Sequence, residues 1–172
     1  MFIEEPCLPD QIADIARLRT QTVIPLASGE RLFARWGFRD LLEQRSVAIV
    51  QPDVCHAGSI YETLKIAAMA EVCGMALAPH NPLGPISLAA CLQVDAAAPN
   101  FFIQEHPVTA DGSELGNGLL RIPFVVRDGH IDVPRGSGLG IEVDEEAVRH
   151  REYDGNWATP RTSHADGSVA EW

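Results

Sequence analysis

Basic charge and paired cysteine are both scarce in this chain. Of 172 residues only 13 are Lys or Arg, against 24 Asp or Glu, a formal net charge of −11. A nucleic-acid or anionic-membrane surface needs basic patches, so this balance disfavours both partners. The four cysteines, Cys7, Cys55, Cys73 and Cys91, make no C-x-x-C pair and no zinc-like spacing. Cys73 and Cys91 fall in helically patterned segments and are expected to be buried free thiols, which suits a reducing, cytoplasmic compartment. No apolar run approaches the roughly 18 residues of a membrane span. Nor does a charged stretch lead into a short apolar core, as in a signal peptide.

What is present is a register. Five short apolar runs each end on a carboxylate or a histidine: Phe2-Ile3-Glu4, Ile24 to Glu30, Val47 to Asp53, Met75 to His80 and Phe101 to Glu105. The terminal residues are 26, 23, 27 and 25 positions apart. That interval suits one βα unit: a buried parallel strand, a loop, a helix and a return. In a (β/α)₈ barrel all strand C-termini open onto one face, where chemistry is placed. Glu4, Glu30, Asp53, His80 and Glu105 are therefore expected to converge on one site.

Between the runs lie helical patterns. Ile12, Ile15, Ala16 and Leu18 form the first, with Asp10 as the expected N-cap. A shorter helix is expected over 37–45, the clearest one over 58–73 with Gly74 as its stop, and another from Gly84-Pro85 to about Ala97. Beyond Glu105 the character changes. A Gly-rich loop is expected over 107–118, then an antiparallel pair, 120–126 with 129–133, around Arg127-Asp128-Gly129. Asp144 is a candidate cap for an acidic helix within 142–152, and the polar and aromatic last 20 residues should pack on something. Residues 1–106 are thus read as barrel and 107–172 as loop, small hairpin and tail. Five βα-type strands are present where a closed barrel needs eight. The expected fold class is α/β, a partial (β/α)₈ TIM-type barrel of about five C-terminal units. It would be a C-terminal piece of a longer enzyme, or an open half-barrel that needs a partner.

Carboxylate oxygens at Glu4 and Glu30 favour a hard cation such as Mg²⁺ over zinc. Two are too few for a tight site, so a third ligand is expected from elsewhere. Asp53 and His80 sit on adjacent strand ends. A carboxylate accepting from one imidazole nitrogen orients the ring and raises its basicity, making a dyad able to take a proton from carbon. Glu105, one strand on, would donate a hydrogen bond or a proton to a developing enediolate oxygen if it were protonated. His106, His130, His150 and His164 have no comparable context; His56 is an outside candidate for a substrate contact.

Phe2-Ile3-Glu4-Glu5-Pro6, Ser28-Gly29-Glu30-Arg31, Gln51-Pro52-Asp53 with His56-Ala57-Gly58, and Ala78-Pro79-His80 with Pro82-Leu83-Gly84-Pro85 together resemble the enolase superfamily. Within it the chain is similar to the mandelate racemase group, and most to the D-galactonate dehydratases, whose C-terminus resembles the closing 167–172 here. The resemblance covers nearly the whole chain and is weakest over 107–119. It implies Glu4 and Glu30 as Mg²⁺ ligands, His80 as the base that removes the proton α to a carboxylate, Asp53 as its orienting partner and Glu105 as the enediolate stabiliser. The reaction implied is loss of water from a sugar acid in a homo-oligomeric enzyme. The family's third metal ligand, an aspartate, its general-acid histidine and its capping domain all match positions before Met1, and the tail is expected to pack on that cap. The isolated chain is accordingly expected to be inactive. A racemase or epimerase, another aldonate or aldarate dehydratase, and a non-catalytic remnant remain open alternatives. Ser59 stands where a glycine is usual.

Overall fold

The computed structural model describes residues 1–107, 112–151, 155 and 162–170. Four parallel strands lie side by side in chain order: β1 (Ile3–Glu4), β2 (Leu26–Ser28), β3 (Ile49–Val50) and β4 (Ala76–Leu77). The register steps regularly, Ile3 opposite Leu26, Ala27 opposite Ile49 and Ile49 opposite Ala76. The fifth run joins through a bridge between Leu77 and Phe101, sealed by the Phe102 amide donating to the Leu77 carbonyl at 2.8 Å. Each strand returns through helices: α1 (Ile12–Arg19), α2 (Ala34–Gly37), α3 (Arg39–Glu43), α4 (Val54–Ala57), α5 (Ile60–Val72) and α6 (Pro85–Ala97). Parallel neighbours joined by helical crossovers make this a partial (β/α) barrel.

Side-chain alternation divides the two faces of the sheet. Leu26, Val50 and Leu77 meet Ile15, Phe38, Leu41, Ile66 and Val94 from the helices in the main core. The other face carries the small cluster Ala27, Ile49 and Ala78, with Phe2, Ala48 and Ala76 against it. Truncating a fully buried Leu77 to Ala in such a core costs about 2–5 kcal/mol. Asn100 ties the last return down, its amide donating to the carbonyls of Ala67 and Met75 at 3.1 and 3.0 Å.

The three central strands are buried, but β1 and the 101–103 stretch are exposed, each pairing on one side only. The expectation of strands covered on both faces therefore holds only in the middle of the sheet. Asp10 is not a helix cap. A turn closed by the Gln11 amide on the Leu8 carbonyl precedes α1, and Gln11 occupies the cap position without a side-chain bond. The helix expected over 37–45 is two short turns meeting at Phe38. That ring is fully buried against Gly29.

Ser59 opens α5 by accepting from the Glu62 amide at 3.1 Å, so this residue acts as a cap. Cys91 is buried, Cys7 and Cys73 are half-buried, Cys55 is exposed, and all are free thiols. Past residue 107 the antiparallel pair is shorter than expected, only β5 (Val126–Arg127) with β6 (His130–Ile131). Asp128 and Gly129 have φ of 51° and 76°, the left-handed pair of a tight two-residue turn. Leu120 instead bridges to Val143, and the Phe124 amide bonds the Leu115 carbonyl. Pro123 between them has no N–H to extend a ladder. Asp144 does cap α7 (Glu145–Arg149), accepting from the Ala147 amide at 3.0 Å. Half of the tail, 153–154, 156–161 and 171–172, lies outside the described residues, and with it the expected packing there. Among the described residues no helix is long and apolar enough to cross a membrane.

Candidate active site

All five strand-end residues lie on one edge of the sheet because the strands are parallel and in step. Asp53 and His80 are themselves bridge partners, the His80 amide donating to the Pro52 carbonyl at 3.3 Å. Asp53 is fully buried and uses both oxygens. Its Oδ1 accepts from the amides of Cys55 and His56 at 2.7 and 3.2 Å, capping α4. Its Oδ2 lies 3.0 Å from His80 Nδ1. An ionised carboxylate only accepts, so the His80 proton sits on Nδ1 and Nε2 faces away from Asp53.

His80 Nε2 points at two further carboxylates, Oε2 of Glu30 at 3.3 Å and Oε2 of Glu105 at 4.0 Å. Burial opposes a charged ring, but the Asp53 bond and the charges of Glu30 and Glu105 outweigh it, and the His80 pKa is raised. Burial likewise pushes the Asp53 carboxyl up, yet the His80 bond and the two amide bonds win, and its pKa is lowered. Glu30 is raised, first by burial, partly relieved by His80 and then reinforced by the negative charges of Glu5 and Glu4.

Three of the expected residues, Glu30, Asp53 and Glu105, thus surround the imidazole of a fourth, His80. Glu4 joins them indirectly, through Gln51, whose amide nitrogen donates to it, and through its field at Glu30. Sequence reasoning passed over the residues that hold this set. Glu5 accepts from the Gly29 amide at 3.0 Å and from Arg31 at 3.2 Å, so it braces the turn that presents Glu30. The Asn81 amide holds Glu105 at 2.9 Å, and Asn81 is itself fully buried with its side-chain atoms unpartnered. His56 lies closer to the centre than expected. Its Nδ1 is 2.7 Å from the Glu30 carbonyl, and its ring centroid is 6.5 Å from that of His80. The available signal was a polar residue, Gln51 or Asn81, placed where an apolar run meets its turn.

A model of the enolase C-terminal domain-like family matches residues 1–147. The chain belongs to this family. It is 48% identical over 177 residues to a D-galactonate dehydratase of Ralstonia nicotianae and 46% identical over 180 residues to one of Cronobacter sakazakii. Each match takes in 100% of this chain but 46% of the relative, so the chain spans about half the length of the curated relatives it matches. A solved enolase of Agrobacterium radiobacter, with sodium and L-malate bound, superposes with a TM-score of 0.86 at 30% identity, over 98% of this chain and 45% of that one. A mandelate racemase/muconate lactonizing enzyme from Sulfitobacter gives 0.84 at 36% identity, over 91% and 39%. This member of the enolase C-terminal domain-like family therefore shares both its sequence and its partial-barrel fold with acid-processing enzymes.

Proposed function

We propose that this chain carries the proton-abstracting half of a Mg²⁺-dependent acid-sugar dehydratase of galactonate type, converting D-galactonate to 2-keto-3-deoxygalactonate and water. The observation that carries the reading is the Asp53–His80 pair with Nε2 turned toward Glu30 and Glu105. In the reaction, neutral His80 takes the proton α to the substrate carboxylate on Nε2, while Asp53 holds the ring through Nδ1 and stabilises the imidazolium formed. Glu105, held by the Asn81 amide, donates a hydrogen bond to the enediolate oxygen from its protonated carboxyl. The electron pair left on the α-carbon then expels the adjacent hydroxyl, which takes the proton back from the His80 imidazolium and leaves as water, and the enol relaxes to the keto acid.

The donor chemistry supports a hard cation. Burial first, and then the like charges of Glu5 and Glu4, raise the Glu30 pKa, a penalty that a cation would relieve, and the donors are carboxylate oxygens. Among the described residues no group of three His, Cys, Asp or Glu is arranged to hold a metal. Glu4 and Glu30 would therefore supply part of the coordination. Bound there, Mg²⁺ would neutralise the substrate carboxylate and acidify the α-proton. The substrate is a soluble small molecule.

The test uses the polypeptide as its gene encodes it, incubated with Mg²⁺ and D-galactonate, with keto-acid formation followed directly. Product should form, and His80→Asn should abolish it while Mg²⁺-dependent galactonate binding survives. Turnover of a different sugar acid alone would replace the substrate; turnover in His80→Asn would remove that residue from the base role.

A further inference from the structure

We propose that His56 determines specificity by accepting, on Nε2, a hydrogen bond from a hydroxyl of a polyhydroxylated carboxylate lying against His80. This rests on the reading above that the site takes such an acid. The carbonyl of Glu30 can only accept, so at 2.7 Å the His56 proton is committed to Nδ1. Nε2 of the neutral ring is then a bare acceptor, and it has no hydrogen-bond partner among the described residues.

The ring is exposed yet held in place from several directions. Its own backbone amide is bound by Asp53 Oδ1, the same carboxylate that orients His80. Gly58, with φ of 112°, ends the one-turn helix α4 immediately after it. The Phe33 ring lies 5.6 Å away, centroid to centroid, and is itself 65% exposed, forming an apolar wall beside the imidazole. One buried residue, Asp53, thus sets the positions of both the proposed base and this second imidazole.

The open acceptor selects the ligand class. In the reading above Glu30 serves the cation and Glu105 the enediolate oxygen, so beside His80 the acceptor left open is Nε2 of His56. A ligand that satisfies it must bring an O–H donor, and an aldonate carries one on every carbon beyond its carboxylate. An acid too short to extend past His80 would leave His56 unused.

Calorimetric titration of the Mg²⁺-loaded full-length polypeptide with D-galactonate and with D-lactate tests this, in wild type, His56→Phe and His56→Gln. Phe keeps the ring's bulk without an acceptor; Gln supplies a carbonyl acceptor. We expect His56→Phe to weaken galactonate binding roughly three- to tenfold, as loss of one hydrogen bond implies. His56→Gln should recover most of that loss, and lactate should bind all three proteins equally. Equal galactonate affinity in all three would overturn the proposal and leave the dehydratase reading standing. Parallel weakening of lactate in His56→Phe would also overturn it, since His56 would then act through the position of Glu30. Failure of wild type to bind either acid would remove the underlying reading and this one with it.

Discussion

Replacing Asp53 by Asn changes one atom and should reverse the polarity of His80. In the wild type the carboxylate accepts from His80 Nδ1 at 3.0 Å and from two backbone amides at 2.7 and 3.2 Å. The Asn carbonyl can keep both amide bonds, so α4 stays capped. Its NH₂ then faces Nδ1 and must donate, which moves the ring proton to Nε2, the atom proposed to take the substrate proton. The one charge-assisted bond lost is worth about 1.5–3 kcal/mol, so stability should fall by about that much. Turnover should fall far more, on the order of 10³- to 10⁴-fold, as in the corresponding change in serine-protease triads. The His80 pKa should drop too, because burial stays while the partner that offsets it is gone. His80, raised in the folded chain, stabilises fully below its unfolded pKa, and that contribution fades as pH rises through the folded value. Asp53, lowered, stabilises above its unfolded pKa and loses this as pH falls through the folded value. Two-bond ¹H–¹⁵N spectra of the imidazole, recorded with urea unfolding, read tautomer, titration and stability together. An unchanged tautomer and midpoint for His80 in Asp53→Asn would refute the reasoning.

Two further outcomes concern the scaffold. Asp95 on α6 is buried with neither oxygen partnered among the described residues, and burial pushes its pKa up to about 8. Its stabilising influence is present below pH 4 and lost toward pH 8, so Asp95→Asn should gain about 3–4 kcal/mol on wild type between pH 4.5 and 7.5 in urea unfolding. Parallel pH profiles for the two proteins would contradict this. Gly29 has φ of 140°, and a Cβ there would sit 2.8 Å from Phe38 Cε1 and 3.1 Å from the Gln51 amide nitrogen. Gly29→Ala should cost about 2–4 kcal/mol by strain and overpacking, and a melting temperature equal to wild type would show the loop yields.

The barrel units were legible because parallel strands and their helices leave a period in the sequence. The runs ending at Glu4, Glu30, Asp53, His80 and Glu105 repeat at the length of one βα unit, and the strands came out adjacent and in order. Helix α6, opened by Pro85, and α5, stopped before Gly74, were marked by their own punctuation. Boundaries set by local competition were not. At α1 a turn from Leu8 to Gln11 stands where an Asp10 cap was expected, and two short helices meet at Phe38, whose ring is buried against Gly29.

By itself the sequence determined which residues share the open edge of the sheet, because strand order and the period of two decide that without any coordinates. Only the tertiary structure decided which of them touch. His80 meets Asp53, Glu30 and Glu105, while Glu4 reaches the group through Gln51, since side-chain contact turns on distances of an ångström or two that no spacing encodes. The same holds for His56, which the chain offered only as an outside candidate for a substrate contact. A capped turn and a 2.7 Å bond to the Glu30 carbonyl bring it beside the imidazole it was not grouped with.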